Sequence, residues 1–530
     1  MIDAYCAQDV RAAETPLLEA GEPLMLRAAH ALAGHVRAHL PALTRRRSLP
    51  ARPADPAQPR VLVLAGAGSN GGDGLHAAAL LRREGITADA LAVSDAWHEE
   101  GARALREAGG HLLQLSDVAP SALEDLIGGA DVLLDSIVGN AGRPEVPEAL
   151  RPLLELVRRT GTPVIAVDLP SFLDATTGEA APLALPAAAT VTFGAVKTGM
   201  LLPGGSELIG ELHLVDLGLE EHLPARSAVQ RLEDEDVRRL VPRPGREDSK
   251  YTRGVVALAA GSTRYPGAAV LACTGAARAG AGMVRCAAPA PVLDLVLRSR
   301  PEILGHPAPD AESSGVEHHG EGELADLGRT DALVVGPGMP PEDPRARAGI
   351  DLLRLDHEAP GVESIRRGVI DAGGLGAIEA ADRFGDDVVL TPHRGEAERL
   401  AERLDLDPEL PAPALARALA EATGATVLLK GAVTVVAPPD PDQPLLAQDD
   451  ATPALATAGT GDVLAGILGT LLAAGLPGPE AAALAALLHG RAGLAASCDG
   501  WAPLVALDVA DQLPRVLATI LSGSTNEGER

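Results

Sequence analysis

Short aliphatic runs alternate with helix-like segments along most of this chain, and that alternation constrains the fold more than any other feature. RVLVLAG (60–66), ADALAV (88–93), HLLQL (111–115), DVLLDSIVG (131–139) and PVIAVDLP (163–170) form a first series. The pattern predicts a parallel sheet with helical crossovers. It is preceded by helical apolar spacing from Pro16 to Leu40 and a Pro/Arg-rich linker, Pro41 to Arg60. A first α/β domain therefore runs to about residue 222. Between Glu220 and Ser249 the chain turns polar and proline-bearing, as interdomain connectors do. GVVALAAG (254–261), GMVRCAAP (282–289), DALVVGPG (331–338), GVIDAGG (368–374), DVVLTPH (387–393), TVLLKG (426–431) and AVTVVAP (432–438) form a second series, closed by long Ala/Leu helices after Gly459. No short internal repeat is present, so two unrelated α/β domains in tandem are expected, which also suits a length of 530 residues.

Phe, Trp and Tyr make up 2% of the chain, so the core is expected to be aliphatic, with small side chains packed on parallel strands. A net charge of −28 argues against nucleic acid, whose phosphates would be repelled. Cys6, Cys273, Cys286 and Cys498 have no paired spacing and read as reduced, buried thiols. No signal-like n-region with an apolar h-region opens the sequence, and Gly, Pro and charges interrupt every apolar run. A soluble cytoplasmic protein without membrane insertion is the expectation.

Three lysines, Lys197, Lys250 and Lys430, stand among 45 Lys+Arg, leaving 45 − 3 = 42 arginines. Each lysine sits beside glycine in a segment that reads as a loop next to a strand. A site shaped around a compact ammonium does not accept a planar guanidinium, which marks these three as functional candidates. Asparagine is equally scarce: Asn70 and Asn140 lie in glycine-rich loops, and Asn526 lies in the polar tail.

Gly66-Ala67-Gly68-Ser69-Asn70-Gly71-Gly72-Asp73-Gly74 follows the first strand, with a helix expected from about Leu75. Gly66, Gly68 and Gly71 fit a dinucleotide fingerprint, but a carboxylate at Asp73 would oppose a pyrophosphate there. The loop instead suits a polar ligand whose non-phosphate end lies here, or a cation. Parallel strands present their carboxyl ends side by side, which brings in Asp135 with Gly139-Asn140-Ala141-Gly142, and Asp168-Leu169-Pro170-Ser171. Asn70, Asp135 and Ser171 could coordinate one hard monovalent cation, with Asp168 left for acid/base work and Lys197 adding positive charge. His306, His318 and His319, within residues 300–328, read as part of a solvated insertion loop rather than a metal site.

SNGGDG, the D-x-x-x-G strand end, VDLPS, TFGAVKTG and LIGELHLVDLG together resemble the NAD(P)H-hydrate epimerase domain, over about residues 1–222. The resemblance implies a Rossmann-like three-layer fold that interconverts the C6 epimers of hydrated NAD(P)H. It implies substrate binding by Ser69, Asn70, Gly71, Gly72 and Asp73, by Gly139, Asn140, Ala141, Gly142, Arg143, Pro144 and Glu145, and by Asp168. It places K+ on Asn70, Asp135 and Ser171. Three positions depart from the family pattern: its double asparagine is Ser69-Asn70, its Gly-Thr-Gly is Gly139-Asn140-Ala141, and the glycine commonly following Ser171 is Phe172.

Ala456-Thr457-Ala458-Gly459-Thr460-Gly461-Asp462 opens an apolar helix. Glycines at a helix N-terminus leave amides free for a phosphate, and Asp462 stands where it could take a proton from an attacking hydroxyl. The pattern resembles ribokinase-fold enzymes. With Ser249-Lys250-Tyr251-Thr252-Arg253-Gly254, Gly336-Pro337-Gly338, Ile370-Asp371-Ala372, Thr391-Pro392-His393-Arg394-Gly395-Glu396 and Leu429-Lys430-Gly431, it looks like the ADP/ATP-dependent NAD(P)H-hydrate dehydratase, over about 228–520. That resemblance implies hydrated dinucleotide on Ala268, Gly338, His393 and Asp462, and adenine nucleotide with Mg2+ on Lys430, Gly431, Ala432, Val433, Thr434 and Gly461. An Asn-Pro pair often found ahead of the aspartate motif is Thr452-Pro453 here.

The two resemblances imply a bifunctional repair enzyme with catalytic Asp168 and Asp462, forming a homo-oligomer and acting on hydrated NADH or NADPH with ADP or ATP. The alternative is a ribokinase-fold kinase of a vitamin precursor fused to a non-catalytic binding domain.

Overall fold

The computed structural model describes residues 1–45, 59–308, 324, 327–357 and 365–523. The chain divides into two compact units, Asp3–Val229 and Gln230–Arg530, the latter including Met1–Ile2. The α/β class expected from the sequence holds in both.

In the first unit, β1 (Ile2–Tyr5) pairs in parallel with β8 (Val196–Lys197). The main sheet holds β2 (Arg60–Ala65), β3 (Thr87–Ala92), β4 (Leu112–Gln114), β5 (Val132–Ser136), β6 (Val164–Val167), β7 (Ala189–Phe193) and β9 (Glu211–Val215), in the order β4-β3-β2-β5-β6-β7-β9. Every pairing in it is parallel. Alternate residues of β2 serve opposite faces, as the two-residue period of a strand demands. Val61 and Val63 pack with the helices Leu24–Arg45 and Ser69–Arg83, whereas Leu62 and Leu64 pack with the helices Pro120–Gly129 and Arg151–Thr160. The result is three layers with an apolar core on each side of the sheet.

Several sequence expectations change here. The stretch 16–40 is not one helix: Gly21, at φ +81°, and Pro23 interrupt it, giving helices Ala7–Glu19 and Leu24–Arg45. Pro41 to Arg45 belong to the second helix rather than to a linker, and residues 46–58 of that linker lie outside the described residues. The connector region 220–249 contains β10 (Val229–Arg231) and the helix Asp234–Leu240.

In the second unit, β11 (Val255–Ala259), β12 (Met283–Ala288), β13 (Leu304–Pro307), β14 (Ala332–Val335), β15 (Gly368–Ile370), β16 (Val388–Leu390) and β17 (Thr426–Leu429) run parallel in the order β13-β12-β11-β14-β15-β16-β17. β18 (Thr434–Ala437) and β19 (Leu445–Gln448) extend it antiparallel. The link Lys430–Val433 is too short for a crossover helix, so the chain turns straight back. His306 lies on β13 rather than in a loop, whereas His318 and His319 fall outside the described residues.

The scarcity of aromatic residues acquires a packing reason in this unit. A Cβ on Gly275 would lie 2.4 Å from the Val463 carbonyl oxygen, and one on Gly466 would lie 2.1 Å from that of Ala272. The helices Pro266–Arg278 and Thr460–Ala473 thus meet backbone to backbone, a distance only small residues permit. All four cysteines are free; Cys273 and Cys286 are buried as expected, but Cys498 is exposed. No helix among the described residues is long and apolar enough to cross a membrane.

Candidate active sites

Because the seven strands of the first unit are parallel, the segments after β2, β5, β6 and β7 leave the same sheet edge. The Gly66–Gly74 segment is less of a loop than expected, since the helix already begins at Ser69. Close packing requires the glycines: a Cβ on Gly71 would lie 2.1 Å from the Gly66 carbonyl oxygen, and one on Gly74 would lie 2.5 Å from Ser136 Oγ. Asn70 therefore sits in the helix's first turn. Its backbone carbonyl accepts from Ser136 Oγ, while its side-chain Oδ1 and Nδ2 are buried with no hydrogen-bond partner. Gly139 backs this amide, because a Cβ there would come 3.1 Å from Asn70 Cγ.

β5 and β6 are neighbours, which carries Asp135 to the segment following β6. Ser171 donates its backbone N–H to Asp135 Oδ2 at 2.9 Å and its hydroxyl to Oδ1 at 2.6 Å. Burial pushes the Asp135 carboxyl up, and the Ser171 hydrogen bonds oppose that rise. Asp168, also after β6, adopts a left-handed backbone at φ +70°, a costly geometry for a non-glycine residue that recurs at functional sites. Lys197, 1% exposed, donates to Asp168 Oδ1, to Thr192 Oγ1 at 2.9 Å and to the Phe193 carbonyl at 3.1 Å. Phe172 is left-handed too, at φ +68°, which gives a physical reason for the family's glycine at that position.

Asp73 is buried beside this pair. Burial and the nearby Asp168 and Glu14 charges push its carboxyl well above the ordinary range. Glu14, from the helix Ala7–Glu19, is a residue that sequence reasoning missed. Burial pushes it up, Lys197 pulls it down, and a glutamate on an amphipathic helix carried no signal of this placement. The segment after Gly139 is mixed: Asn140 is half-buried and donates to the Ala7 carbonyl at 3.2 Å, Gly142 and Pro144 are half-buried, and Ala141, Arg143 and Glu145 are exposed, as is Ser69.

In the second unit the parallel strands again deliver their carboxyl ends to one edge. Gly261 after β11 and Gly338 after β14 meet there. Gly261 N–H donates to the Pro337 carbonyl at 2.7 Å, and Ser262 Oγ donates to the Gly338 carbonyl at 2.8 Å. Gly336 and Gly338 have φ of +112° and +66°, and a Cβ on Gly338 would lie 2.4 Å from Ala268 Cβ. A buried Arg345–Asp343 pair at 2.7 Å fixes the loop, with Arg345 Nη2 donating to the Gly261 carbonyl at 2.7 Å.

Further along the edge, Lys430 Nζ donates to Asp371 Oδ1 at 2.9 Å and lies 3.9 Å from Glu396 Oε2. Thr391 Oγ1 donates to the same Asp371 oxygen at 2.8 Å. The first amides of the helix Thr460–Ala473 have no intrahelical partner, and Gly459, at φ +90°, sets the sharp entry to it. Lys430 Nζ lies 3.6 Å from the place a Cβ on Gly461 would occupy. Burial, then the Asp371 charge, push the Asp462 carboxyl up to about 7, against the pull of Lys430. His489 donates from Nε2 to the Thr460 carbonyl at 2.9 Å, and burial holds its imidazole down at about 4.

The sequence motifs contained Asp371, Thr391 and Glu396 without giving them a role, and His489 was missed inside an apolar helix. His393 caps the helix Arg394–Arg403, its Nδ1 accepting from Gly395 N–H at 3.1 Å and Glu396 N–H at 3.4 Å. Thr452 caps the short turn Pro453–Leu455 through Oγ1, as an asparagine would. Gly431 and Ala432 form the exposed turn between β17 and β18, Val433 is buried and Thr434 begins β18. Lys250 is exposed and rests over the Tyr251 ring at 5.2 Å.

Comparison with known proteins divides the chain in the same sense. A family model described as NAD(P)H-hydrate dehydratase matches residues 256–515, and one described as YjeF-related protein N-terminus matches residues 21–199. The chain is 39% identical over 488 residues to the bifunctional NAD(P)H-hydrate repair enzyme of Mycobacterium tuberculosis H37Rv, covering 90% of this chain and 91% of that one. It is 38% identical to the enzyme of the same description from Mycobacterium leprae, covering 93% and 94% of the two chains. A solved Bacillus subtilis ADP/ATP-dependent NAD(P)H-hydrate dehydratase, co-crystallised with ATP and Mg2+, is 30% identical; the match covers 55% of this chain and 99% of that one, with a TM-score of 0.46. The chain belongs to the bifunctional NAD(P)H-hydrate repair enzyme family.

Proposed function

We propose that this chain repairs hydrated NAD(P)H with two activities: an epimerase over residues 1–222, which interconverts the (R) and (S) forms, and a dehydratase over residues 228–520. The dehydratase phosphorylates the C6 hydroxyl of the (S) form from ADP or ATP and then eliminates phosphate, regenerating NAD(P)H. Phosphorylation turns a poor leaving group into a good one, so a kinase-like site can drive a net dehydration. The observation that carries this reading is Asp462, at the start of a helix beside Lys430, with its carboxyl raised to about 7.

A base with that pKa accepts a proton from the C6 hydroxyl near neutral pH, where general base catalysis is most efficient. The helix amides around Gly461 and the Lys430 ammonium hold the transferred phosphoryl group, and the chain from Lys430 to Thr434 lines the nucleotide's position. Ala268, Gly338 and His393 hold the dinucleotide; Nδ1 of His393 serves the helix cap, and its Nε2 lies 3.6 Å from Glu396 Oε2. Mg2+ enters with the nucleotide, and Asp371 and Glu396 are oxygen donors of the kind it takes. Its contribution when bound is to neutralise phosphate charge.

In the epimerase, Asp168 is the acid/base group, with Lys197 setting its charge balance. Ser69 to Asp73 and Gly139 to Glu145 bind substrate. We assign K+ to Asn70, Asp135 and Ser171, a reading supported by the unmatched Asn70 amide, whose oxygen gains a partner when a cation binds. We place the protein in the cytoplasm as a homo-oligomer, its size to be read by sedimentation. The central test incubates a mixture of hydrated epimers with ADP or ATP and follows the return of nicotinamide absorbance. Absence of nucleotide-dependent recovery would refute the reading.

A further inference from the structure

The first unit carries a second cluster of ligand-type side chains, which shares no residue with the Asp135 and Asp168 constellation. His35 and His39 lie four residues apart on one face of the helix Leu24–Arg45, and β9 sets His213 against both. The ring centroids are 4.0 Å apart for His35–His39, 4.1 Å for His35–His213 and 5.4 Å for His39–His213. One nitrogen from each imidazole lies within 4.8 Å of the other two.

The hydrogen bonding leaves these nitrogens available. His39 Nδ1 lies 2.9 Å from the His35 carbonyl, so it carries the proton and Nε2 carries the lone pair. His35 Nε2 is buried without a partner. His213 Nε2 is 3.2 Å from Glu211 Oε1 but lacks hydrogen-bond alignment with it. Two of the imidazole nitrogens, His35 Nε2 and His213 Nε2, are thus buried without a hydrogen bond, a balance that a shared cation reverses.

We propose that His35, His39 and His213 hold a divalent transition metal of the Zn2+ class, with the Glu211 carboxylate as fourth ligand. Such a site clamps the helix Leu24–Arg45 to β9. Tetrahedral geometry with Zn–N bonds of ~2.0–2.1 Å sets the nitrogens about 3.3 Å apart. From a starting separation within 4.8 Å, rotation of the side chains closes that gap. Nitrogen donors select Zn2+, Co2+, Ni2+ or Cu2+ over Mg2+ and Ca2+, which prefer oxygen.

The test strips the full-length chain of metal with a chelator and titrates it with Co2+, reading the visible bands that report coordination geometry. One Co2+ per chain with the intense bands of a tetrahedral site, displaced by Zn2+ and untouched by Mg2+, is expected. The melting temperature should rise with Zn2+ and not with Mg2+. The His35→Asn/His39→Asn double variant, and His213→Gln on the edge strand, should each lose at least ~10-fold in Co2+ affinity. Circular dichroism checks their folding; should the double variant unfold, wild type against His213→Gln decides. Weak octahedral spectra in wild type, or equal Co2+ affinity in wild type and a folded variant, overturns the proposal.

Discussion

Lys430 Nζ donates to Asp371 Oδ1 across 2.9 Å while standing 3.6 Å from the place a Cβ on Gly461 would occupy. One ammonium thus links the carboxyl end of β15 to the N-terminus of the helix Thr460–Ala473. It also lowers the Asp462 carboxyl against the desolvation that raises it. On the proposed reading, nucleotide binding and the protonation state of Asp462 depend on the same cation.

Lys430→Gln is expected to weaken ADP and ATP binding, measured by calorimetry, and to move the acid limb of the dehydratase pH–rate profile upward. Lys430→Arg should not restore nucleotide affinity, because a planar guanidinium does not fit beside Gly461. Epimerisation should be unaffected in both variants. Unchanged nucleotide affinity in Lys430→Gln would remove this lysine from the nucleotide site.

Asp462→Asn keeps the size of the side chain and removes the proton acceptor. Turnover of the (S) epimer should fall by roughly two to four orders of magnitude while dinucleotide binding persists. Near-normal turnover by a folded variant would disprove the assignment.

The raised Asp462 carboxyl also sets two pH dependences. As a base it must be ionised, so dehydratase kcat/KM should decline as pH falls below about 7. Stability runs the other way: the folded form holds this proton more tightly than the unfolded form, so the contribution is full below the ordinary carboxyl value of 3.8 and lost as pH rises through about 7. Asp462→Asn should then be more stable than wild type at pH 8, by at most ~4 kcal/mol, and equal to it near pH 3.5. Urea unfolding at the two pH values reads this difference.

Phe172 tests strain against burial. Its left-handed backbone costs about 1–2 kcal/mol, but its ring is 5% exposed within the core. Removing a buried Phe side chain costs ~3–5 kcal/mol. Phe172→Gly should therefore destabilise by about 1–4 kcal/mol in spite of the family's preference for glycine. A stabilised variant in denaturant titration would show that the loop, not the core, sets the balance.

Asp135→Asn removes charge from the proposed K+ site, and Asp168→Asn removes the group proposed as the epimerase acid/base. Either variant should consume the (S) fraction of an epimer mixture and then stall, whereas wild type continues through the (R) fraction. Chromatography of the (R) epimer, corrected for spontaneous exchange, reads the result, and replacing K+ with a large organic cation should mimic Asp135→Asn. Conversion of (R) by wild type no faster than the blank would make the first unit a binding scaffold.

Local chemistry explains how much of this was readable from the sequence. Five strands of the first unit and seven of the second follow from apolar runs bounded by polar or turn residues, because a strand buried on both faces must be apolar throughout. Asn70, Lys197 and Lys430 stood out because asparagine and lysine are scarce, and Asp135, Asp168, Ser171 and Asp462 because they lie near strand ends or, for Asp462, at a glycine-rich helix start. The sequence alone thus determined the α/β class and nominated the residues proposed for chemistry. Tertiary structure decided which of them meet: Glu14 reaches the Asp73 and Asp168 charges from a separate helix, and Asp371 becomes the partner of Lys430 through the order of β15, β16 and β17. It also decided that Asp462 titrates near 7 and that His213 joins His35 and His39, since desolvation and contacts between distant segments exist only once the chain has folded.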